Sequence, residues 1–198
     1  NESRVVSTRL KSKLAELGVV AKDAVPEIVL LGSEEMQKGF LQGLFSSDGT
    51  VLDTVEKGVS VRLWSAKEPL LKDVQRLLLN FGIASKVYTN RKKAGYKGMP
   101  DGKGGEKMYF TQAGHELTIS KNNLLRFQTE IGFLQAAKAE KLTNALESYG
   151  NRGPYAESFV ATVESITALG VEAVYDLTEP LTHSFVANGI VVHNCGEQ

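Results

Sequence analysis

Residues 39–50 have the sequence Gly-Phe-Leu-Gln-Gly-Leu-Phe-Ser-Ser-Asp-Gly-Thr. On a helix, Gly39 and Gly43 lie one turn apart on one side, which leaves a surface that another backbone could approach closely. Asp48 ends this run and Gly49 follows it. An Asp-Gly pair at a helix end also suits a cap or a turn, so the pair alone does not establish a site. The stretch predicts a helix with a closely approachable face and an acid at its end.

Hydrophobic periodicity over the first three quarters of the chain predicts an α-β-β-α-β-β order and a mixed α+β fold. A break near Gly132 divides a later helical stretch, and the turn-rich residues 150–154 predict a domain boundary. The predicted helices are residues 4–17, 34–45, 68–81 and 122–146, the predicted strands are 51–52, 59–66, 84–90 and 107–119, and short strands follow around Val160, Val163 and Ile166 and over 174–177 and 185–192.

The run at residues 39–50 resembles the LAGLIDADG motif of homing endonucleases, with matches at Leu41, Gly43, Leu44, Asp48 and Gly49. Ser46 stands where that family often has another acid. The resemblance implies that two such helices pack through their small residues. It also implies that Asp48 is a ligand of a divalent metal, Mg²⁺, beside the scissile phosphate.

The flanking segments extend this resemblance. Residues 14–26 resemble the close of a preceding repeat, and residues 74–87 resemble the helix-to-strand passage of a second repeat. Basic residues near these segments aid phosphate chemistry in the family, so Lys22 and Lys93 are candidates for that role. A solvated surface lysine is the alternative for each.

Positive charge is concentrated within 22 residues of a chain whose formal net charge is zero. Arg91, Lys92 and Lys93 lie at its centre, Lys86 begins it, and only Asp101 and Glu106 oppose it. Such a run is usually a solvated loop, and residues 98–105 predict one. Between two strands of a DNA-binding fold it could instead grip phosphates.

The strand over residues 59–66 carries Arg62 and Trp64 on one face, two positions apart. A sheet of this kind could lie in the major groove of double-stranded DNA. Arg62 is therefore a candidate contact to bases or backbone, and Trp64 is equally compatible with the core.

His193, Asn194 and Cys195 stand side by side after an apolar stretch, and Cys195 is the one cysteine of the chain. An asparagine side-chain amide can attack its own carbonyl, close a succinimide and break the next peptide bond. His193 could polarise that carbonyl or donate a proton. A thiol directly after the bond is a competent acyl acceptor. These three residues predict self-cleavage of the backbone.

Residues 174–195 resemble the C-terminal splicing block of inteins over about 22 residues. The matching elements are Val174 to Leu177, the His-Ser-Phe at 183–185, Asn188-Gly189, a short apolar strand and the terminal triplet. The resemblance implies that Asn194 cyclises, that His193 assists and that Cys195 accepts the upstream polypeptide. Asp176 and His183 are implied to activate or orient the junction. Asn188-Gly189 predicts a two-residue hairpin turn.

The two resemblances together give an organisation for the whole chain. Residues 1–149 are expected to be a LAGLIDADG endonuclease half, residues 150–194 the C-terminal strands of an all-β Hint horseshoe, and residues 195–198 host sequence. The Cys-Gly-Glu-Gln tail resembles a ribonucleotide reductase loop, which suggests that enzyme as host. Because no nucleophile stands at the start, we expect the chain to be the C-terminal part of a larger intein, with the missing N-terminal segment as its partner. Natural splitting, cleavage and truncation are all compatible with this expectation.

The partners that the resemblances imply are the N-terminal intein segment, double-stranded DNA and the host protein. Three functions are left open. The functions are protein splicing without a cofactor, Mg²⁺-dependent site-specific cleavage of DNA, and DNA binding without cleavage. The second acid for cleavage would come from another repeat or a second copy of the chain. A single cysteine excludes an internal disulfide, no stretch has the length of a membrane span, and no signal peptide is evident, which predicts a cytoplasmic protein.

Overall fold

The structure is a computed structural model that describes residues 7–19, 23–54, 58–100, 102, 104–150, 153–157, 160, 162–173, 175, 177–187 and 190–193. The chain divides into two compact units, residues 1–157 and residues 158–198. The domain boundary predicted at Gly150 stays a prediction. Residues 153–157 belong to the first unit, since the Asn122 amide donates to the Tyr155 carbonyl (3.0 Å) and the Glu157 amide donates to Asn122 Oδ1 (2.9 Å).

The first unit contains both helices and strands, and the second contains a β-hairpin. Within the described residues, no helix is long and apolar enough to cross a membrane. The elements are α1 (Thr8–Glu16), α2 (Glu27–Leu30), α3 (Glu34–Asp48), β1 (Gly49–Thr54), β2 (Gly58–Ser65), α4 (Glu68–Asn80), β3 (Lys86–Lys92), β4 (Gly95–Pro100), β5 (Glu106–Thr111), β6 (Gly114–Ser120), α5 (Asn123–Arg126), a π-helical turn (Phe127–Ile131), α6 (Ala136–Glu147), β7 (Ser184–Ala187) and β8 (Ile190–His193).

A four-stranded antiparallel sheet in the order β1-β2-β6-β3 forms the centre of the first unit. Side chains alternate between its two faces because successive strand residues point to opposite sides. One face is apolar and buried in a single core with the helices. Its strand residues Val61, Leu63, Leu117 and Ile119 are at most 1% exposed. The opposite face carries polar and aromatic side chains.

Helix α3 begins at a serine cap and ends at the acid of the motif. Ser33 Oγ accepts a hydrogen bond from the Met36 amide (3.4 Å), which satisfies one of the free N–H groups of the first turn. Leu41 and Phe45 are fully buried, and the Phe45 ring meets Phe127 edge-on at 4.9 Å. The helix extends to Asp48, three residues beyond the predicted end, because the burial of Phe45 holds its last turn in place.

Gly49 joins α3 directly to β1. A Cβ atom on this residue would overlap with the carbonyl oxygen of Phe45. The chain can therefore leave the helix for the sheet at this point only with a glycine. Asp48 is placed by this junction at the edge where α3 meets the sheet.

The loop predicted over residues 98–105 is wrong at its start, because Gly95–Pro100 forms β4 and pairs with β5. Lys92 pairs with Gly114, and Gly95 pairs with Thr111 in the same register. The strands β4 and β5 form a two-stranded sheet of their own, which continues the register of β3 and β6 as a ribbon with an irregularity between Tyr88 and Lys92. Cross-strand packing of Tyr96 on Phe110 (5.4 Å between centroids) supplies contacts that the sequence pattern did not reveal.

In the second unit, β7 and β8 form an antiparallel hairpin in which Ala187 pairs with Ile190. This pairing confirms the predicted two-residue connection, while Asn188 and Gly189 themselves lie outside the described residues. The strands predicted around Val163 and Ile166 are wrong: residues 162–173 form no strand, and Ile166 is 91% exposed. A strand needs a hydrogen-bonded neighbour, and the described residues give these segments none. The Hint architecture stays a prediction.

We expect Phe45→Ala to lower the free energy of unfolding of the first unit by about 3–5 kcal/mol, because it opens a cavity beneath α3. Urea denaturation followed by the fluorescence of Trp64, the one tryptophan, measures this unit alone. Leu31→Ala is the control, since Leu31 is 80% exposed. Equal effects of the two substitutions would contradict this account of the core.

Candidate functional site

The C-terminal end of α3 brings an acid and a lysine to one place. Asp48 is exposed at the last position of the helix. The ammonium group of Lys138, on α6, donates to the Ser46 carbonyl at 2.7 Å and lies 3.4 Å from the Ser47 carbonyl. The last carbonyls of a helix lack intrahelical partners and carry partial negative charge, so a cation there is stabilised. Lys138 is thereby held at the turn that presents Asp48.

Ser46 explains how the loop before α6 is fastened to this turn. Its side chain is buried, and its Oγ accepts a hydrogen bond from the Leu134 amide at 2.7 Å. The chain reaches Leu134 after a reversal at Gly132, whose φ of 64° favours glycine. The break predicted near Gly132 is confirmed.

The lysine at this site differs from the two that the sequence indicated. Lys22 lies outside the described residues, and Lys93 is exposed in the short connection between β3 and β4. Lys138 was missed because α6 also carries Lys141, and sequence spacing does not distinguish them. Lys138 contacts α3 across about ninety residues of sequence, and this contact distinguishes it from Lys141.

Asp48 is a hard oxygen donor of the kind that Mg²⁺ prefers. Among the described residues, no group of three or more histidines, cysteines or acids could hold a metal ion. Asp48 therefore fits a divalent metal as one ligand of a site completed by other molecules or by other parts of the protein.

The face of α3 with small residues is open, as the motif predicts. A Cβ atom added to Gly39 or Gly43 would meet no neighbour within 4 Å. Met36, one turn before Gly39 and Phe40, is 44% exposed. This face has room for the close approach of a second backbone.

Two of the predicted DNA contacts meet on the polar face of the sheet. Glu116 Oε1 accepts from Arg62 Nη1 at 3.1 Å and lies 3.2 Å from Arg91 Nε. The Arg91 guanidinium lies over the Tyr88 ring, 4.8 Å from its centroid. Trp64 belongs to this face and is 44% exposed, so it is not a core residue. A carboxylate that the sequence did not single out thus joins the two arginines.

Lys86, a third predicted DNA contact, lies at the other end of β3. Glu157 Oε1 is 3.3 Å from the ammonium group of Lys86 and 3.2 Å from that of Lys121. Burial alone would raise the pKa of Glu157, but hydrogen bonds and charge from Lys121 and Lys86 outweigh it and lower the pKa. Lys92 and Lys93 are exposed.

In the second unit, the hairpin brings the two histidines of the splicing block together. His183 lies just before β7 and His193 ends β8, and their rings stack at 6.2 Å between centroids and 25° between planes. Asp176, Asn194 and Cys195 lie outside the described residues.

A short turn before β7 sets the position of His183. Glu179 accepts hydrogen bonds from the Thr182 hydroxyl (2.7 Å), the Thr182 amide and the Leu181 amide (3.1 Å). These bonds to Thr182 and Leu181 lower the pKa of Glu179 to about 2. His183 follows with a φ of 51°, an uncommon conformation for a residue with a side chain. Sequence reasoning missed Glu179, because the side chains that commonly bind nearby backbone groups in turns are those of Ser, Thr, Asn and Asp, so a glutamate gives no distinctive signal.

Comparisons with known proteins bear on both units. Residues 35–132 match the family model of the LAGLIDADG-like domain. The chain is 36% identical over 180 residues to ribonucleoside-diphosphate reductase NrdEB subunit alpha of Bacillus subtilis. This match covers 89% of the chain and 16% of the reductase. It is 34% identical over 176 residues to a DNA polymerase of Thermococcus hydrothermalis, covering 86% of the chain and 10% of the polymerase.

A reductase and a polymerase do different chemistry, so a segment that both share, and that makes up a small part of each, is an insert carried by different hosts. The chain belongs to the inteins that carry a LAGLIDADG domain. The intein also resembles solved mesophilic variants of the homing endonuclease I-DmoI, with 20% identity, a TM-score of 0.43, and coverage of 70% of the chain and 58% of the solved protein. The chain spans about a sixth or less of the length of the reductase and the polymerase.

The Glu179 turn can be tested by titration. We expect the amide chemical shifts of Leu181 and Thr182 in NMR spectra to titrate near pH 2, because the carboxylate that they hydrogen-bond has its pKa lowered to about 2. The turn is then stable above the usual glutamate range and is lost as the pH falls toward 2. In Glu179→Gln this titration should disappear, with Glu172→Gln as the control. A midpoint near 4.5 in the parent would contradict the assignment.

Proposed function

We propose that this chain is the C-terminal part of a splicing intein whose host is a ribonucleotide reductase, and that it acts with an N-terminal intein segment. The observation that carries the proposal is the stacked pair His183 and His193, placed by the hairpin at the residues that lead into Asn194 and Cys195. The similarity to the reductase supports the host. A cytoplasmic location is part of the same proposal.

The chemistry begins with acyl transfer. The Cys195 thiolate attacks the thioester or ester that the N-terminal segment forms with the upstream polypeptide. A bond forms from the Cys195 sulfur to the acyl carbon, and the nucleophile of the N-terminal segment leaves with a proton. The thiol is suited to this step because sulfur is strongly nucleophilic even when a small fraction is ionised.

Asparagine cyclisation then releases the intein. The side-chain nitrogen of Asn194 attacks its own main-chain carbonyl carbon, and the bond to the Cys195 nitrogen breaks. His193 polarises the carbonyl or protonates the departing nitrogen, while His183 and Asp176 assist the proton transfer. The products are a succinimide at Asn194 and a free amine on Cys195. That amine attacks the acyl carbon of the adjacent thioester, the carbon–sulfur bond breaks, and a peptide bond forms while the amine's proton passes to the Cys195 sulfur and restores its thiol.

A second function, cleavage of DNA, is favoured by the arrangement at the end of α3. Asp48 would hold Mg²⁺, which when bound supplies charge stabilisation and an activated water at the phosphate. The Lys138 ammonium would stabilise negative charge on the phosphate, and the polar sheet face would hold the duplex. A second acid would come from another repeat or a second copy that packs on the Gly39 and Gly43 face.

A DNA-binding module without cleavage is the remaining alternative. Ser46, where the family often has an acid, supports it, because its hydroxyl is committed to the Leu134 amide. The exposed Asp48 argues for cleavage. Salt-sensitive binding without Mg²⁺-dependent cleavage would favour the module.

Splicing can be tested by intact-mass spectrometry on the chain extended by a C-terminal tag. We expect slow loss of the tag, and a succinimide that leaves the released chain one water lighter than its hydrolysed form. Adding an N-terminal intein segment should give ligated flanks. Asn194→Ala should retain the tag, because it has no side-chain amide to attack the carbonyl, whereas Asn151→Ala should behave as the parent. A tag that stays intact in the parent, both alone and with the N-terminal segment, would contradict the proposal.

Nuclease activity can be tested on the chain joined to its N-terminal segment, with the intein-free host gene as substrate. Asp48→Asn and Lys138→Met should each slow Mg²⁺-dependent cleavage by about 10²–10³-fold, since each removes a charge at the reacting phosphate. DNA binding in Ca²⁺ should persist. Lys141→Met, a substitution on the same helix, should leave cleavage unchanged. Equal rates for Lys138→Met and Lys141→Met would remove Lys138 from the site.

A further inference from the structure

Glu116 occupies a central position on the polar face of the sheet. It lies on β6, opposite Trp64 on β2 and Tyr88 on β3. Only 16% of its side chain is exposed, and its Oε1 atom contacts both Arg62 and Arg91. A carboxylate in the middle of a face that would bind DNA repels phosphates, so its presence weakens non-specific binding. Glu116 therefore needs an explanation other than a contribution to the affinity for DNA.

The contacts around Glu116 fix the positions of two guanidinium groups. Arg62 is held by Glu116 through Nη1 and by the Ser60 hydroxyl through Nε at 3.0 Å. Arg91 is held at Nε by Glu116 and by the ring of Tyr88. Their side chains are 16% and 39% exposed. Because a guanidinium carries five N–H donors in a planar fork, each can still offer two donors to a ligand.

Two arginine forks held in this way suit the edge of guanine in the major groove. Arginine binds the O6 and N7 atoms of guanine with two parallel hydrogen bonds, the commonest specific contact to DNA. An arginine that is already ordered loses less side-chain entropy on binding than a mobile one. A contact with a phosphate, in contrast, does not require a fixed orientation of the guanidinium group, so a mobile arginine can make it.

We propose that Glu116 is a positioning residue for sequence recognition. It orients Arg62 and Arg91 as a pair that recognises guanines in the major groove of duplex DNA, and it keeps them from binding phosphates indiscriminately. This inference rests on the proposed DNA-binding function of the sheet. It assigns a role to a carboxylate within a basic surface and distinguishes Arg62 and Arg91 from Lys92 and Lys93, which would contact phosphates.

The test is selection from duplexes with a randomised stretch of sequence, carried out with the chain joined to its N-terminal segment, as the parent, and with the same protein carrying Glu116→Gln. The parent should enrich guanines at fixed positions. Glu116→Gln should lower the ratio of affinities for the selected and a scrambled duplex by about tenfold or more. Its affinity for the scrambled duplex should rise, and the slope of log affinity against log salt should steepen by about one, because released arginines then bind phosphates.

Two further variants separate positioning from effects of charge and folding. Glu106→Gln removes the same charge from β5 and should leave the guanine preference intact. Arg62→Lys keeps the charge and removes the planar fork, so it should lose part of the guanine preference with little change in the affinity for the scrambled duplex. It also keeps the inference testable if Glu116→Gln fails to fold.

Three outcomes would overturn the inference. Unchanged guanine preference in both Glu116→Gln and Arg62→Lys would show that the pair does not read bases. Equal losses of affinity for both duplexes together with a lower melting temperature would show that Glu116 is merely structural. A parent chain that binds no duplex would overturn the DNA-binding function along with it, whereas the first two outcomes would overturn this inference alone.

Discussion

The burial of Phe45 at the end of α3 is the contact on which the arrangement of the first unit depends. Its ring is fully buried and meets Phe127 at 4.9 Å, and Phe127 in turn meets Phe133 at 5.3 Å. These edge-on contacts tie the helix to the π-helical turn and to the loop before α6. Because Gly49 follows without a spacer, fixing Phe45 also fixes Asp48 and the start of the sheet. One packing contact therefore sets the position of an acid and the direction of β1.

The same end of α3 shows how the arrangement proposed for DNA cleavage can coincide with ordinary helix capping. Lys138 satisfies the Ser46 carbonyl, which would otherwise lack a partner at the end of the helix. That contact stabilises the fold whether or not DNA is bound. In the proposed cleavage reaction this lysine would already be ordered when the phosphate binds, so less side-chain entropy would be lost.

Local patterns in the sequence were sufficient for α3, α4, β2 and the final hairpin, because a capping serine, an apolar helical face and a two-residue turn act within a few residues. The motif and its glycine also predict Asp48 as a metal ligand, and this role stays a prediction, while the structure places Asp48 at the end of α3. Lys138, Glu116 and Glu157 could not be chosen in this way. Each meets a partner across 36 to 92 residues of sequence, and these contacts depend on the folded sheet. The strand β4 was missed because its glycines and proline mimic a loop.

The count of basic residues along the chain also overstates the charge that the sheet offers to a polyanion. Of the cations that the sequence groups together, Lys86 is paired with Glu157, and Arg91 with Glu116. Arg62 shares that second acid. A phosphate would have to compete with these carboxylates, and the exchange of one ion pair for another yields little net attraction. If the sheet binds DNA as proposed, affinity would come largely from Lys92, Lys93 and the ribbon beyond them, while the paired arginines would be better suited to distinguish one base from another. This proposed division of roles fits a chain with zero net charge, whose contact with DNA would depend on where its charges lie.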